Sequence, residues 1–146
     1  DTHLSVNTQL KSRTAIWNAT SGKPYTEIVP DLIVSNPNGA RITIDSKYKL
    51  YDEYAVRTGD IYQSFLYTLV HAEASAKQRT GIIVHPASHS MKITELHVRN
   101  RHNDVQARLL VIGFSIVEAI NEIKNKRDGE IITSVRRQIF EALNAY

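Results

Sequence analysis

The spacing of apolar positions along the chain changes several times, and each change predicts an element. Leu4, Val6, Thr8 and Leu10 alternate with polar residues, the period of a strand with two unlike faces. Ile16 and Trp17 add an apolar anchor to an otherwise loose connection. Residues 29–34 and 41–49 are short runs rich in β-branched side chains, and Asn36, Pro37, Asn38 and Gly39 between them are turn formers, so together they predict a hairpin. A polar stretch of mixed charge over 48–59, carrying Lys49, Asp52, Glu53 and Arg57, reads as a mobile loop. Ile61, Leu66, Leu69, Val70 and Ala74 then recur at helical spacing and predict a helix from residue 60 to about 78. The apolar run 81–85, set between Gly81 and Pro86, reads as a central strand buried on both faces. Two further strands follow over 93–98 and 106–115. Ile116, Ile120 and Ile123 suggest a short helix, and Ile132, Val135, Ile139 and Leu143 form the stripe of a last one over 131–145. That order suits an α/β sandwich with a mixed central sheet flanked by helices.

Composition narrows the setting more than the chemistry. At 146 residues the chain is read as one domain, 1–146, large enough for a full hydrophobic core. Its 42% hydrophobic and 23% charged residues describe a soluble globular protein, and no apolar run approaches the ~18 residues a membrane span needs. No signal peptide is visible, which points to the cytoplasm. The first residue is not methionine, and the chain reads as the C-terminal part of a longer protein. A net charge of +3 suits a DNA partner without requiring one. The absence of cysteine excludes a thiolate-bound iron–sulfur cluster. Asn18-Ala19-Thr20 matches a glycosylation sequon by chance.

Candidate chemistry gathers on the 29–49 hairpin. Strand side chains alternate, so Asp45 and Lys47 share one face while Ile44 and Ser46 share the other, and Asp31 can join from the neighbouring strand. Two carboxylates and a lysine meet the needs of metal-dependent phosphodiester hydrolysis: oxygen ligands for a hard cation, and a positive charge beside water or phosphate. A solvated salt bridge on an ordinary hairpin explains the same three residues. Gln63 and Tyr67 lie four apart on one helix face and can reach the same rim, whereas Asp60 and Gln63 are also spaced as an N-cap and its capping-box partner. Glu27 either faces the site or solvates a strand start. His85 and His89 are four apart, but Pro86 forbids a helix between them, so a loop is favoured over a zinc site. Arg99, Arg101, His102 and Arg108 can track a phosphate backbone, although such clusters are usually solvated surface.

The pattern Pro30-Asp31 followed by Asp45-Ser46-Lys47 resembles the PD-(D/E)xK nuclease signature, and Gln63 and Tyr67 stand in the Gln-x-x-x-Tyr arrangement of RecB-like nucleases. With Asp60, Tyr62 and the Gly81 to Pro86 strand in the same order, residues 27–87 are similar to the McrC family, the nuclease subunits of McrBC restriction systems. The resemblance implies a restriction-endonuclease-like core and DNA endonuclease activity. It implies Asp31, Asp45 and the backbone carbonyl of Ser46 as ligands of Mg²⁺, with Mn²⁺ able to substitute. Lys47 would orient water or stabilise charge on the phosphate, and Gln63 and Tyr67 would position the phosphate backbone or the lysine. The implied partners are DNA carrying modified cytosine and a McrB-like AAA+ GTPase subunit. Lacking cysteine, the chain does not represent the cluster-bearing branch of RecB-like nucleases. It departs from the family pattern ahead of Pro30, where residues 1–23 contain no glutamate to serve as the customary upstream acid. A stand-alone RecB-like exonuclease and a non-catalytic DNA- or protein-binding module on the same fold remain the alternatives.

Overall fold

The computed structural model describes residues 3–51, 55–71, 79–125 and 128–145. Among these residues eight strands and three helices follow one another: β1 (Ser5–Thr8), β2 (Ser12–Asn18), β3 (Lys23–Ile28), β4 (Leu32–Ser35), β5 (Arg41–Ser46), α1 (Thr58–His71), β6 (Arg79–Pro86), β7 (Lys92–Arg99), β8 (Val105–Phe114), α2 (Ile116–Lys124) and α3 (Glu130–Asn144). Six strands make one mixed sheet in the order β1-β4-β5-β6-β8-β7, and β2 and β3 pair separately. The β1, β4 and β5 strands run antiparallel as neighbours; β6 lies parallel to β5, and β8 parallel to β6. A parallel neighbour needs a crossover, and α1 supplies it between β5 and β6.

Alternation along the central strands sends two side-chain sets to opposite faces. Val34, Ile42, Ile44, Ile82, Leu110 and Ile112 pack with Ala142 and Leu143 of α3, with Val135 and Ile139 partly buried against them. The intervening residues of β5 and β6, Thr43, Asp45, Gly81 and Ile83, turn to the α1 face, where the Thr43 hydroxyl meets that of Thr68 at 3.1 Å. Fully burying each of Ile42, Ile82, Ile83, Leu109 and Ile112 favours folding by roughly 1.5–3 kcal/mol, and this anchors the strands that carry the site. The fold is therefore an α/β sheet with helices on both faces, as the order of elements predicts.

Several boundaries differ from the sequence expectation. The supposed loose connection is a β2–β3 hairpin closed by Asn18, whose Oδ1 accepts from the N–H groups of Thr20 and Ser21, and by Gly22 at φ 63°. Trp17 is half exposed on that hairpin and anchors no core. The strand expected from residue 29 begins at Leu32, after Pro30, which has no N–H to donate to a ladder. The first helix starts at Thr58, before Asp60, and its expected continuation over 72–78 lies outside the described residues, as do Asp52 and Glu53 of the expected loop. Helix α2 buries none of its residues. Its Glu122 instead accepts from the free N–H groups of Ile131 and Ile132 at the start of α3, at 3.2 and 3.0 Å.

Candidate functional site

The site forms where β5 runs out beside β6. Lys47 lies one residue past β5, yet its N–H still donates to the Val84 carbonyl at 2.8 Å, which prolongs the parallel ladder and fixes the lysine backbone. Crevices at the carboxyl ends of parallel strands are where α/β sheets hold ligands. Here that crevice is roofed by the first half of α1.

Lys47 is the hub. Its ammonium lies 2.6 Å from Asp45 Oδ2 and 3.6 Å from Asp60 Oδ1, and it donates to Gln63 Oε1 at 2.7 Å. Gln63 Nε2 in turn donates to the Tyr67 hydroxyl at 2.6 Å. Asp60, Gln63 and Tyr67 are three and four residues apart, one stripe of α1. Asp31 arrives differently from the sequence expectation. Its Oδ2 accepts the Ser46 N–H at 2.7 Å and the Ser46 hydroxyl at 2.6 Å, so it is tied to β5 through Ser46, not through the lysine. The structure thus brings Asp31, Asp45, Ser46, Lys47, Gln63 and Tyr67 together.

Small residues set how closely α1 approaches. A Cβ on Gly81 would stand 2.3 Å from Thr68 Oγ1 and 3.2 Å from Ser64 Oγ, so only glycine lets the helix lie this near β6. The Thr68 hydroxyl donates to the Ser64 carbonyl at 2.8 Å and so accepts from Thr43.

Electrostatics separate the partners. Burial raises the Asp45 pKa; the Lys47 ammonium opposes this, and the charges of Asp31 and Asp60 add to it. Burial disfavours the Lys47 ammonium, but Asp45 and then Asp60 outweigh it and hold its pKa above the ordinary value. Asp45 Oδ2 is buried and close to Lys47, but the pair is not aligned as a hydrogen bond. That oxygen faces a cation with no neutral donor beside it. Among the described residues no group of three or more His, Cys, Asp or Glu side chains is placed to hold a metal. The chain therefore offers two carboxylates, Asp31 and Asp45, with a strand carbonyl, and Mg²⁺ is commonly held by one or two carboxylates with water completing its shell.

Two residues of the cluster, Asp60 and Tyr51, were not read from the sequence as site groups. Asp60 is not an N-cap: its own N–H and that of Ile61 both donate to the Arg57 carbonyl, so it sits inside the first turn. Gln63 accordingly closes no capping box and spends its amide on Lys47 and Tyr67. The i, i+3, i+7 stripe was the available signal. Tyr51, read as part of a polar loop, is buried and donates its hydroxyl to Asp60 Oδ2. Burial first, and then the Asp60 carboxylate, push its pKa up to about 12. No local pattern marked it.

The remaining candidates lie apart from the lysine. His85 donates to the Pro86 carbonyl through Nδ1 at 2.8 Å and sets its ring edge-on to Tyr51, 5.0 Å between centroids. With His89, Met91 and Leu96 it lines a cleft of about 780 Å³ beside the site. Glu27 pairs with Lys11 and Arg13 on the β2–β3 hairpin. Arg108 makes a two-pronged bond to Glu95, and Arg99 bonds Asn103 within the β7–β8 turn. No helix among the described residues is long and apolar enough to cross a membrane.

Comparison with known proteins adds two findings. Residues 1–86 match the family described as McrBC 5-methylcytosine restriction system component. Among solved structures, the chain is similar to one from an assembly of Thermococcus gammatolerans McrB AAA+ hexamers with bound McrC, at 13% identity and a TM-score of 0.49. That match covers 77% of this chain and spans 23% of the other's length. No curated protein matches the chain.

Proposed function

The chain belongs to the McrBC 5-methylcytosine restriction system component family, and from that premise we propose that it carries the catalytic site of a Mg²⁺-dependent DNA endonuclease. Asp31, Asp45 and the Ser46 carbonyl would hold the ion. When bound, the ion supplies Lewis-acid polarisation of the scissile phosphate and a more acidic water. The single observation that carries the reading is the convergence on Lys47 of Asp45, Gln63 and, through Gln63, Tyr67.

The chain's own groups divide the work. Lys47 is kept charged by its carboxylates, and an ammonium with three donors can orient the attacking water and answer charge building on a phosphate oxygen. Gln63 fixes where those donors point. Tyr67, hydrogen-bonded to Gln63, stands at the exposed rim where a phosphate backbone would pass. Asp31 stiffens the hairpin through Ser46. The substrate would be DNA with modified cytosine, and the partner a McrB-like AAA+ GTPase. A net charge of +3 favours that division, because unaided grip on duplex DNA grows with the number of phosphates neutralised and weakens steeply with salt.

Cleavage of methylated and unmethylated duplexes should be assayed with Mg²⁺, with chelator, and with and without the GTPase and GTP. Asp45→Ala and Lys47→Ala should each lower cleavage by about 10²–10³-fold while the chain stays folded. Cutting in chelator, or by Asp45→Ala at the parent rate, overturns the assignment; robust methylation-independent cutting by the chain alone overturns the subunit role.

A further inference from the structure

Lys47 stands between two carboxylates, and only one of them belongs to the proposed ion site. Asp45 Oδ2 is the nearer at 2.6 Å, and Asp60 Oδ1 waits at 3.6 Å on the helix side. An ammonium and a divalent cation would compete for the Asp45 carboxylate, because two positive charges on one carboxylate repel strongly in a site this sheltered from water. The Asp45, Lys47 and Asp60 side chains are 6%, 13% and 13% exposed, so a lysine expelled without a new partner would bear a large desolvation cost. Asp60 is built to receive it. Tyr51 donates to its other oxygen and is itself buried with its ring against His85, which leaves Oδ1 turned to the lysine. Burial disfavours the Asp60 carboxylate, yet the Tyr51 hydroxyl, Lys47 and the more exposed Lys49, 3.9 Å from Oδ2, together outweigh it and hold its pKa below the ordinary value. Gln63 Oε1, already bonded to Nζ, can act as the pivot.

We propose that Asp60, oriented by Tyr51, is a positioning residue that takes the Lys47 ammonium when a divalent cation engages Asp45, a handover of roughly 1 Å toward an ordinary charged hydrogen bond. This rests on the metal reading above. Lys47 then arrives at the reaction already displaced to the helix side, with Gln63 and Asp60 setting its direction and Asp45 released to the ion.

The test is calorimetric titration of Mn²⁺ or Mg²⁺ into the full-length protein without DNA, so that it reads binding and not turnover. Four single variants and one double are compared with the parent: Asp60→Asn, Asp60→Glu, Tyr51→Phe, Lys47→Met and Lys47→Met/Asp60→Asn. Asp60→Asn should weaken ion binding about tenfold, since Lys47 then stays on Asp45 and competes, and Asp60→Glu should recover most of it. Tyr51→Phe, which keeps the carboxylate but frees its orientation, should weaken binding about threefold and guards against a misfolded Asp60→Asn. Lys47→Met should bind the ion at least as tightly as the parent, and in that background Asp60→Asn should change affinity less than about twofold. Equal weakening by Asp60→Asn in both backgrounds would mean that Asp60 acts only through its charge, and would overturn the handover while leaving the metal reading intact. Parent affinity in both Asp60→Asn and Tyr51→Phe would do the same. A parent protein that binds neither ion overturns both readings together.

Discussion

Replacing Gly81 with alanine puts a methyl group where the Thr68 hydroxyl now lies, and the structure says how far things must move. The new Cβ would stand 2.3 Å from Thr68 Oγ1, 3.1 Å from Leu109 Cδ2 and 3.2 Å from Ser64 Oγ. An ordinary contact needs about 3.4 Å, so α1 must lift from β6 by roughly 1 Å, because Thr68 is buried and held by Thr43 and by the Ser64 carbonyl. Overpacking of this kind costs about 1–3 kcal/mol, and replacing a strand glycine returns about 0.4–1 kcal/mol through the unfolded state. A net loss of about 1–2 kcal/mol should lower the melting temperature by roughly 3–8 °C for a chain of this size. The larger effect should be functional. Gln63 and Tyr67 ride on the same helix, and a 1 Å displacement of Gln63 from Lys47 breaks a 2.7 Å hydrogen bond that aims the ammonium, a misplacement expected to cost about 10²-fold in cleavage. Thr68→Ala removes the obstructing oxygen, so the double variant should regain at least about 1 kcal/mol relative to the sum of the singles and recover part of the activity. Thermal melts and cleavage rates of the four proteins complete the cycle. Additive effects on stability, or full cleavage by Gly81→Ala, would refute the idea that close seating of α1 aims Lys47.

Gln63→Glu keeps a partner for Lys47 but gives up the donor to Tyr67 and adds a negative charge on the phosphate path, so cleavage should fall at least about tenfold with little change in melting temperature; unchanged turnover would return Gln63 to a purely structural role. Away from the site, the Glu95–Arg108 pair sets a pH dependence. The Arg108 guanidinium, against burial and helped by His97, holds the Glu95 pKa down to about 2 from its ordinary 4.5. Because the folded value is depressed, the pair stabilises the chain above about pH 4.5, and that contribution is lost as pH falls toward 2. Discounted for the partial exposure of Glu95, it amounts to about 1 kcal/mol, and Glu95→Gln should erase it from melts compared at about pH 6 and about pH 3; an unchanged acid sensitivity in that variant would count against the pair.

What the sequence made legible, and what it concealed, follows from the range over which each feature is encoded. Asp31, Asp45, Lys47, Gln63 and Tyr67 could be named in advance as candidates because their order resembles a nuclease signature and because charged groups inside a β-branched hairpin, with two polar groups four apart on one helix face, stand out in the pattern. The strands from β4 onward and the last two helices were equally readable from period alone. The β2–β3 hairpin was missed because its strands bury almost nothing and so show no alternation; only Asn18 and Gly22 betray it. The part of Asp60 was left open for a subtler reason. An aspartate three residues ahead of a glutamine is the local mark of a helix start, and the same spacing equally places two side chains on one helix face. Local sequence cannot choose between those meanings; the choice was made by Lys47, which reaches across from the end of β5 and competes for the Gln63 amide. Tyr51 lies further still from any local rule, since its burial depends on His85 of β6 and its hydroxyl on a carboxylate nine residues away. A charged side chain on a β-branched hairpin betrays itself by chemistry that a core would not tolerate. Its neighbours are chosen by tertiary contacts, and for that reason Lys47 was visible from the start while its approach to Asp60, and the part Tyr51 takes in holding that carboxylate, came to light only in the folded chain.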